Sequence, residues 1–473
     1  MAEQEEARLT LDVSRAVADR LGENGLTEDA IKGLSRSLKD VLTGLSAGRD
    51  KNQTDFWSLP QDEETITQTW DLAEGIARRF DNLVVLGIGG SSLGPRALIS
   101  ALRNPLYNLL PPEARERRPR VLFCDNVDPE SFGAMLDLLP LSRTAFNVIS
   151  KSGSTAETMA QLQIVRHRLD LLHGEEAREH LVLTTDPAEG PLRAIAESEA
   201  TPSFAIPAAV GGRYSVLSPV GLFPAAVAGV DIQALCAGAA AMEQRCWARD
   251  ILANPAALLA TMLFLFDREA GRPIDVFMAY SDALARLCSW QCQLWAESLG
   301  KRLSAKGEEV FSGPTPVAAV GATDQHSQLQ LFLEGPQDKV VVFIGAEQYR
   351  RDVEIPEWVG SEEAIFQTLG GKSLGKLLQA EQKATALALA RAGRPSITLT
   401  LPEINPRHVG ELLMLLQCTT AIAGGLYGVN PFDQPGVELG KRYTWGLMGR
   451  EGFDKDGKEA EGEPEPEPWM LLR

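Results

Sequence analysis

Cysteine is scarce in this 473-residue chain. There are six, at 124, 236, 246, 288, 292 and 418, and none forms a CxxC pair. A disulfide framework is not expected in so long and cysteine-poor a sequence. Cys288 and Cys292 stand four apart without a histidine or a second cysteine pair, so they read as core packing and no metal is expected. Basic charge is also in deficit: 46 Lys and Arg against 64 Asp and Glu leave a net charge of −18. A general nucleic-acid or anionic-membrane surface needs a basic footprint, so neither partner is expected. A locally positive pocket for an anionic substrate is compatible with that balance. Long hydrophobic runs are missing too. The longest, Ala256 to Phe266, is well short of the ~18–20 residues of a membrane span. The acidic start, Met1 to Glu6, lacks the basic and apolar regions of a signal peptide, and a cytoplasmic location is expected.

What is present is alternation. Residues 1–50 read as a helical segment, with Ile31, Leu34, Leu38, Val41 and Leu42 at helical spacing. From about 80, short apolar runs alternate with amphipathic stretches. Candidate strands are Leu83–Gly87, Val121–Cys124, Phe146–Ser150, Leu181–Thr185 and Ser203–Ile206. A second series follows: Asp275–Tyr280, Val317–Gly321, Val340–Gly345 and Ser396–Leu401. Strands alternating with helices imply parallel sheets with right-handed crossovers. The expected organisation is α/β: a first domain over 51–240, a second over 241–448, and an acidic flexible tail over 449–473.

Five stretches carry candidate chemistry. The first, Gly87-Ile88-Gly89-Gly90-Ser91-Ser92-Leu93-Gly94, is a Gly-rich turn between a buried strand and a helix. Backbone N–H groups at such a helix start favour an anion. A dinucleotide fingerprint is a poor fit, because Ser92 occupies the third glycine position and no acidic residue is evident at the end of the next strand. Glycines serving only the tight turn are the plainer alternative. The second, Ser150-Lys151-Ser152-Gly153-Ser154-Thr155, offers hydroxyls, an ammonium and a glycine at a helix start, a cradle for a phosphate monoester. Its plain alternative is a serine turn with a capping box from Ser154 to Glu157.

The third is the helix predicted over 281–301. Leu284, Leu287, Cys288, Trp295 and Leu299 share one face, with Glu297 nearly opposite and Gln293 one turn earlier. Glu297 stands at the carboxyl end, where the dipole disfavours a carboxylate and so suits a general base. A solvated polar face is the competing reading. The fourth, Gly321 to Ser327, sets His326 in the first turn of a helix after a strand, where the dipole favours a neutral ring. His167, His173, His180 and His408 read as polar helix faces or loops. The fifth, Asn430 to Lys441, is a Pro- and Gly-rich rigid loop ending at Lys441.

In this order the motifs resemble the glucose-6-phosphate isomerase (phosphoglucose isomerase) family, in its shorter bacterial form. The matching stretches are GIGGSSLGP at 87–95, SKSGSTAET at 150–158, GGRYSVLSPVG at 211–221, WAESLGK at 295–301, GATDQHSQ at 321–328 and NPFDQPGVELGK at 430–441. The resemblance implies two tandem sugar isomerase (SIS) domains, each a mainly parallel sheet flanked by helices. It implies aldose–ketose interconversion of a sugar phosphate with no cofactor and no metal. By the same resemblance Glu297 is the base, Arg213 stabilises the enediol oxygen, and His326 and Lys441 assist ring opening. Ser150, Lys151, Ser152, Ser154 and Thr155 hold the phosphate, and Gly90, Ser91, Gln293 and Gln434 contact the sugar. Glu157 orients His326 in that scheme, and the molecule is a homodimer with shared active sites. Gly153 departs from the family, many of whose members carry a larger residue there. Two other readings compete: a phosphosugar-sensing regulator on the same fold, and a nucleotide-linked oxidoreductase using the loop at 87–94.

Overall fold

Runs of apolar residues covered on both faces become the parallel strands. The computed structural model describes residues 8–51, 55–361 and 363–462. The strands up to the middle of the chain are β1 (Thr10–Asp12), β2 (Asn82–Leu86), β3 (Arg120–Cys124), β4 (Thr144–Ile149), β5 (Leu181–Thr185), β6 (Ser203–Ala205) and β7 (Ile274–Ala279). Those after it are β8 (Lys301–Leu303), β9 (Glu309–Ser312), β10 (Thr315–Val320), β11 (Lys339–Gln348), β12 (Glu354–Ile355), β13 (Lys372–Ser373) and β14 (Ser396–Glu403). One sheet has the order β3-β2-β4-β5-β6 and is parallel throughout. The other has the order β1-β14-β11-β7-β10, parallel except for β1 at its edge. The expected α/β class with two mainly parallel, helix-flanked sheets is borne out.

The first 50 residues correct the sequence reading. They are not simply helical, because Thr10–Asp12 adds an antiparallel strand to β14, with Leu11 opposite Leu399. The buried Glu411 side chain fixes that segment by accepting from the Leu9 N–H at 3.0 Å. Helices Glu28–Gly33 and Ser35–Asp50 follow. The extension thus completes the second sheet rather than standing before the first.

Residues Met1–Pro431 form one compact unit carrying both sheets. The expected boundary at 240/241 falls inside an unbroken helix, Ile232–Arg245. That helix lies hard against helix Pro406–Tyr427. A Cβ at Gly238 would meet the Arg407 carbonyl oxygen at 1.8 Å, and one at Gly410 would meet that of Leu235 at 1.9 Å. Backbones this close leave no room for a linker between separate bodies. Pro406–Tyr427 has the length and hydropathy of a membrane span, yet 89% of its apolar window is buried in the protein. Core position explains that composition.

The second unit is Phe432–Arg473. Within it, helix Glu438–Leu447 packs on helix Asp454–Glu461. Arg442 pairs with Asp456 at 2.6 Å, and the Tyr443 hydroxyl donates to Glu459 at 2.7 Å. The tail expected to be flexible is therefore helical over 454–461, where these partners order it. Residues 463–473, with the EPEPEP run, lie outside the described residues.

Candidate active site

In the first sheet β2 lies between β3, which follows it in the chain, and β4, to which the chain crosses over from β3. Ligands of such sheets sit outside the carboxyl ends of the strands at this switch point. Both Gly- and Ser-rich loops lie there, one after β2 and one after β4.

The loop after β2 turns into helix Gly90–Leu102, whose start is not capped by any side chain. Gly89 has φ +58°, a conformation open to glycine, and an added Cβ would lie 3.0 Å from Gln293 Nε2. A Cβ at Gly90 would meet the Gly212 carbonyl oxygen at 2.3 Å. These glycines therefore do more than turn the chain. They let the loop touch segment 211–213 and the end of helix Asp282–Leu299. The expectation that no acidic residue ends the next strand is corrected: Asp125 directly follows β3. Its carboxylate accepts from Ser92 Oγ at 2.9 Å and pairs with Arg96 at 3.0 Å.

In the loop after β4 the Ser150 and Thr155 hydroxyls share a hydrogen bond of 2.8 Å, and Ser154 Oγ donates to Ser152 Oγ at 3.2 Å. The capping box is not formed. Thr155, not Ser154, precedes helix Ala156–His173, and its side chain makes no cap bond. Gly153 adopts φ +63°, and a Cβ there would press on Leu192 N at 3.0 Å, so this loop is built around glycine. Lys151 Nζ donates to the carbonyls of Ala208 and Val210 at 2.7 and 2.9 Å, leaving one N–H of three. Burial pushes its pKa down from the usual ammonium range, and Asp186 opposes that shift.

Helix Asp282–Leu299 buries Leu284, Leu287, Cys288, Trp295 and Leu299, the face its spacing predicts. Glu297 does not lie on a solvated face. Its side chain is 27% exposed and pairs with Arg213 Nη1 at 3.2 Å, while Gln293 Nε2 donates to its other oxygen at 3.0 Å. Arg213 is almost wholly enclosed, with 1% exposure. Its Nε donates to Ser298 Oγ at 2.7 Å and its Nη2 to the Pro431 carbonyl at 2.6 Å. A guanidinium held on three sides is a fixed positive charge, the kind of group that stabilises a developing oxyanion.

The structure thus brings together Gly90, Arg213, Gln293 and Glu297. His326 is exposed and follows the short 3-10 turn Thr323–Gln325, while the helix expected to hold it begins only at Leu329. Asp324 pins the turn by accepting from Val320 N and Ser327 Oγ, both at 2.7 Å. Gln325 accepts from the Tyr280 hydroxyl at 2.7 Å and from Thr385 at 3.0 Å. Gln434 and Lys441 belong to the second unit. Lys441 does not end a loop but stands in the first turn of helix Glu438–Leu447, where it pairs with Glu438 at 2.7 Å. Two of the remaining histidines depart from the surface reading, since His180 and His408 are buried. His180 stacks on His173, with ring centroids 4.4 Å apart.

Ser298 and the Pro431 carbonyl escaped sequence reasoning. Ser298 follows Glu297 directly, so adjacency was its signal, but a backbone carbonyl leaves none. Asp275 was also missed. It is 1% exposed in β7 and accepts from Trp295 Nε1 at 2.9 Å, directly beneath the Glu297 helix. Burial pushes its carboxyl up to about 8, against the opposing Trp295 bond. Its other oxygen has no partner among the described residues.

Anion-suited loops beside a carboxylate steadied by a buried guanidinium are the equipment of an α/β enzyme that moves protons on a small anionic substrate. Comparison with known proteins narrows that class. A family model described as phosphoglucose isomerase matches residues 62–450. The glucose-6-phosphate isomerase of Carboxydothermus hydrogenoformans is 45% identical over 453 residues, 96% of this chain and 97% of its own. That of Thermus thermophilus is 44% identical over 397 residues, 84% of this chain and 90% of its own. A solved structure of a hypothetical Thermus thermophilus protein superposes with TM-score 0.83 at 41% identity, covering 93% of this chain and 99% of that one. A glucose-6-phosphate isomerase from Chlamydia trachomatis superposes with TM-score 0.72 at 28% identity, covering 85% and 75%. The chain belongs to the phosphoglucose isomerase family.

Proposed function

We propose that this protein is a glucose-6-phosphate isomerase, interconverting glucose 6-phosphate and fructose 6-phosphate in glycolysis and gluconeogenesis. The observation that carries the reading is the Arg213–Glu297–Gln293 cluster, set against the glycine loop at Gly89 and Gly90. A C–H beside a carbonyl is a weak acid. Removing its proton needs a positioned carboxylate and a fixed positive charge at the oxygen where electrons collect.

The sequence of events follows. His326 and Lys441 move the protons that open the sugar ring. Glu297 removes the proton at C2 of the open aldose. The electrons shift onto the C1 oxygen, beside Arg213; that oxygen takes up a proton to give the cis-enediol, and the C2 hydroxyl gives one up in turn. Glu297 then returns the proton to C1 as the C2 oxygen becomes a carbonyl, so nothing is gained or lost overall. Ser150, Lys151, Ser152, Ser154 and Thr155 hold the phosphate, while Gly90, Ser91, Gln293 and Gln434 line the sugar. The phosphate is chemically idle, and its binding energy orients the reacting carbons. This proton transfer requires no metal or cofactor. The protein acts in the cytoplasm as a homodimer with shared sites, His326 of each chain serving the other; the exposure of His326 supports that role.

The test is formation of glucose 6-phosphate from fructose 6-phosphate in chelator-containing buffer, followed through a coupled dehydrogenase. Rapid formation, lost in Glu297→Gln, is expected. Sugar-phosphate binding without turnover would replace the enzyme by a sensor on the same fold.

A further inference from the structure

Two hydroxyls from different elements converge on one side-chain oxygen in the turn that carries His326. Gln325 Oε1 accepts from the Tyr280 hydroxyl at 2.7 Å and from Thr385 Oγ1 at 3.0 Å. An amide oxygen has two lone pairs, so this one is fully used. Tyr280 directly follows β7, and Thr385 belongs to helix Leu374–Arg391. Both residues are buried. Burial pushes the Tyr280 phenol up from its usual value, so it keeps the proton it donates.

Tyr280 is itself fixed. Its N–H donates to the Ile344 carbonyl at 2.8 Å, and its carbonyl accepts from the Tyr349 hydroxyl at 3.2 Å. Its ring lies against Gly321, where an added Cβ would come within 2.5 Å of it. Glycine at 321 thus leaves the path from Tyr280 to Gln325 open.

His326 is exposed, so packing does not hold it. Its neighbours in the chain do. On one side Ser327 donates to Asp324 at 2.7 Å, and Asp324 also accepts from the Val320 N–H at 2.7 Å. Those two bonds already close the turn. The buried double anchor on Gln325, directly before His326, exceeds what a connection from β10 to the next helix requires. Rigid support behind an exposed proton-transfer group is how its reach is set.

We propose that Tyr280 and Thr385, through Gln325, form a positioning clamp that sets the place of His326 for opening the sugar ring. The inference deepens the isomerase reading and rests on it.

The test is a double-mutant cycle in the full chain, with fructose 6-phosphate and the coupled assay. Tyr280→Phe lowers kcat about tenfold, since a small misplacement of a reacting group is costly, and KM stays within about twofold. Thr385→Val lowers kcat about threefold, and Thr385→Ser, which keeps the hydroxyl, restores it. In a His326→Ala background, Tyr280→Phe changes kcat by less than about twofold, because residues acting through one group are not additive. An unaltered kcat in both Tyr280→Phe and Thr385→Val would overturn the clamp alone. So would an equal loss in the His326→Ala background, which would make the anchor a support of the fold. A parent chain that isomerises while His326→Ala keeps its rate would remove His326, and the clamp with it. A parent chain that does not isomerise would overturn the isomerase reading itself.

Discussion

The two sheets contribute in different ways. The first places its loops directly at the carboxyl ends of adjacent strands, and those loops offer backbone N–H groups and hydroxyls. The second places its key carboxylate a full helix away from the end of β7, at the carboxyl end of Asp282–Leu299. Its charge is held there by Arg213, which precedes β7 in the chain, and by Gln293. Backbone and hydroxyl donors suit a group that must be bound and left unchanged. A carboxylate that must take and return a proton needs a rigid mount and a charged neighbour.

That contrast predicts unequal losses. Glu297→Gln should lower turnover about 10²- to 10⁴-fold with the fold retained, read by the coupled assay and circular dichroism. An unchanged rate would remove the second sheet from the chemistry. Arg213→Met should lower turnover about 10²- to 10³-fold. Because it leaves a partly buried carboxylate without its partner, it should also cost about 3–5 kcal/mol in denaturant unfolding. Loss of stability without loss of rate would make Arg213 a brace alone.

On the first-sheet side, Lys151→Ala should raise KM about tenfold with little change in kcat, as expected for binding shared by ground and transition states. Inorganic phosphate affinity should fall in parallel. If it does not, Lys151 only holds the Ala208–Val210 segment by its carbonyl bonds. The last effect is on stability alone and concerns Asp275. Its carboxyl titrates near ~3.9 when unfolded, but about 8 when folded. Across that window the folded chain keeps a proton the unfolded chain has released, so stability falls as pH rises from the lower value to the upper. Asp275→Asn should flatten that part of the stability curve measured by urea unfolding. An unchanged slope would place the titration elsewhere.

Much of this was legible before folding. Leu181–Thr185 is a strand with the bounds its apolar run predicts, and the Glu297 helix buries its expected face. Legibility failed where partners are remote in sequence. Thr10–Asp12 has too short a pattern to announce a strand, and it becomes one because β14 offers an open edge. The break at 240/241 failed because Gly238 and Gly410 read as ordinary small residues, whereas each marks a backbone contact. Asp125 was passed over because a carboxylate after a strand has no signature until Ser92 and Arg96 close on it.

The sequence by itself determined the elements and their chemistry: two series of buried strands, two loops suited to an anion, and a helix with Glu297 in its last turn. Periodicity and turn composition are local properties, and they are written residue by residue. Only the tertiary structure decided that Arg213 would meet Glu297, 84 positions away, and that Ser298 and the Pro431 carbonyl would complete its enclosure. Burying a guanidinium is costly unless its donors are matched, and those partners came from segments brought together by packing of the whole unit.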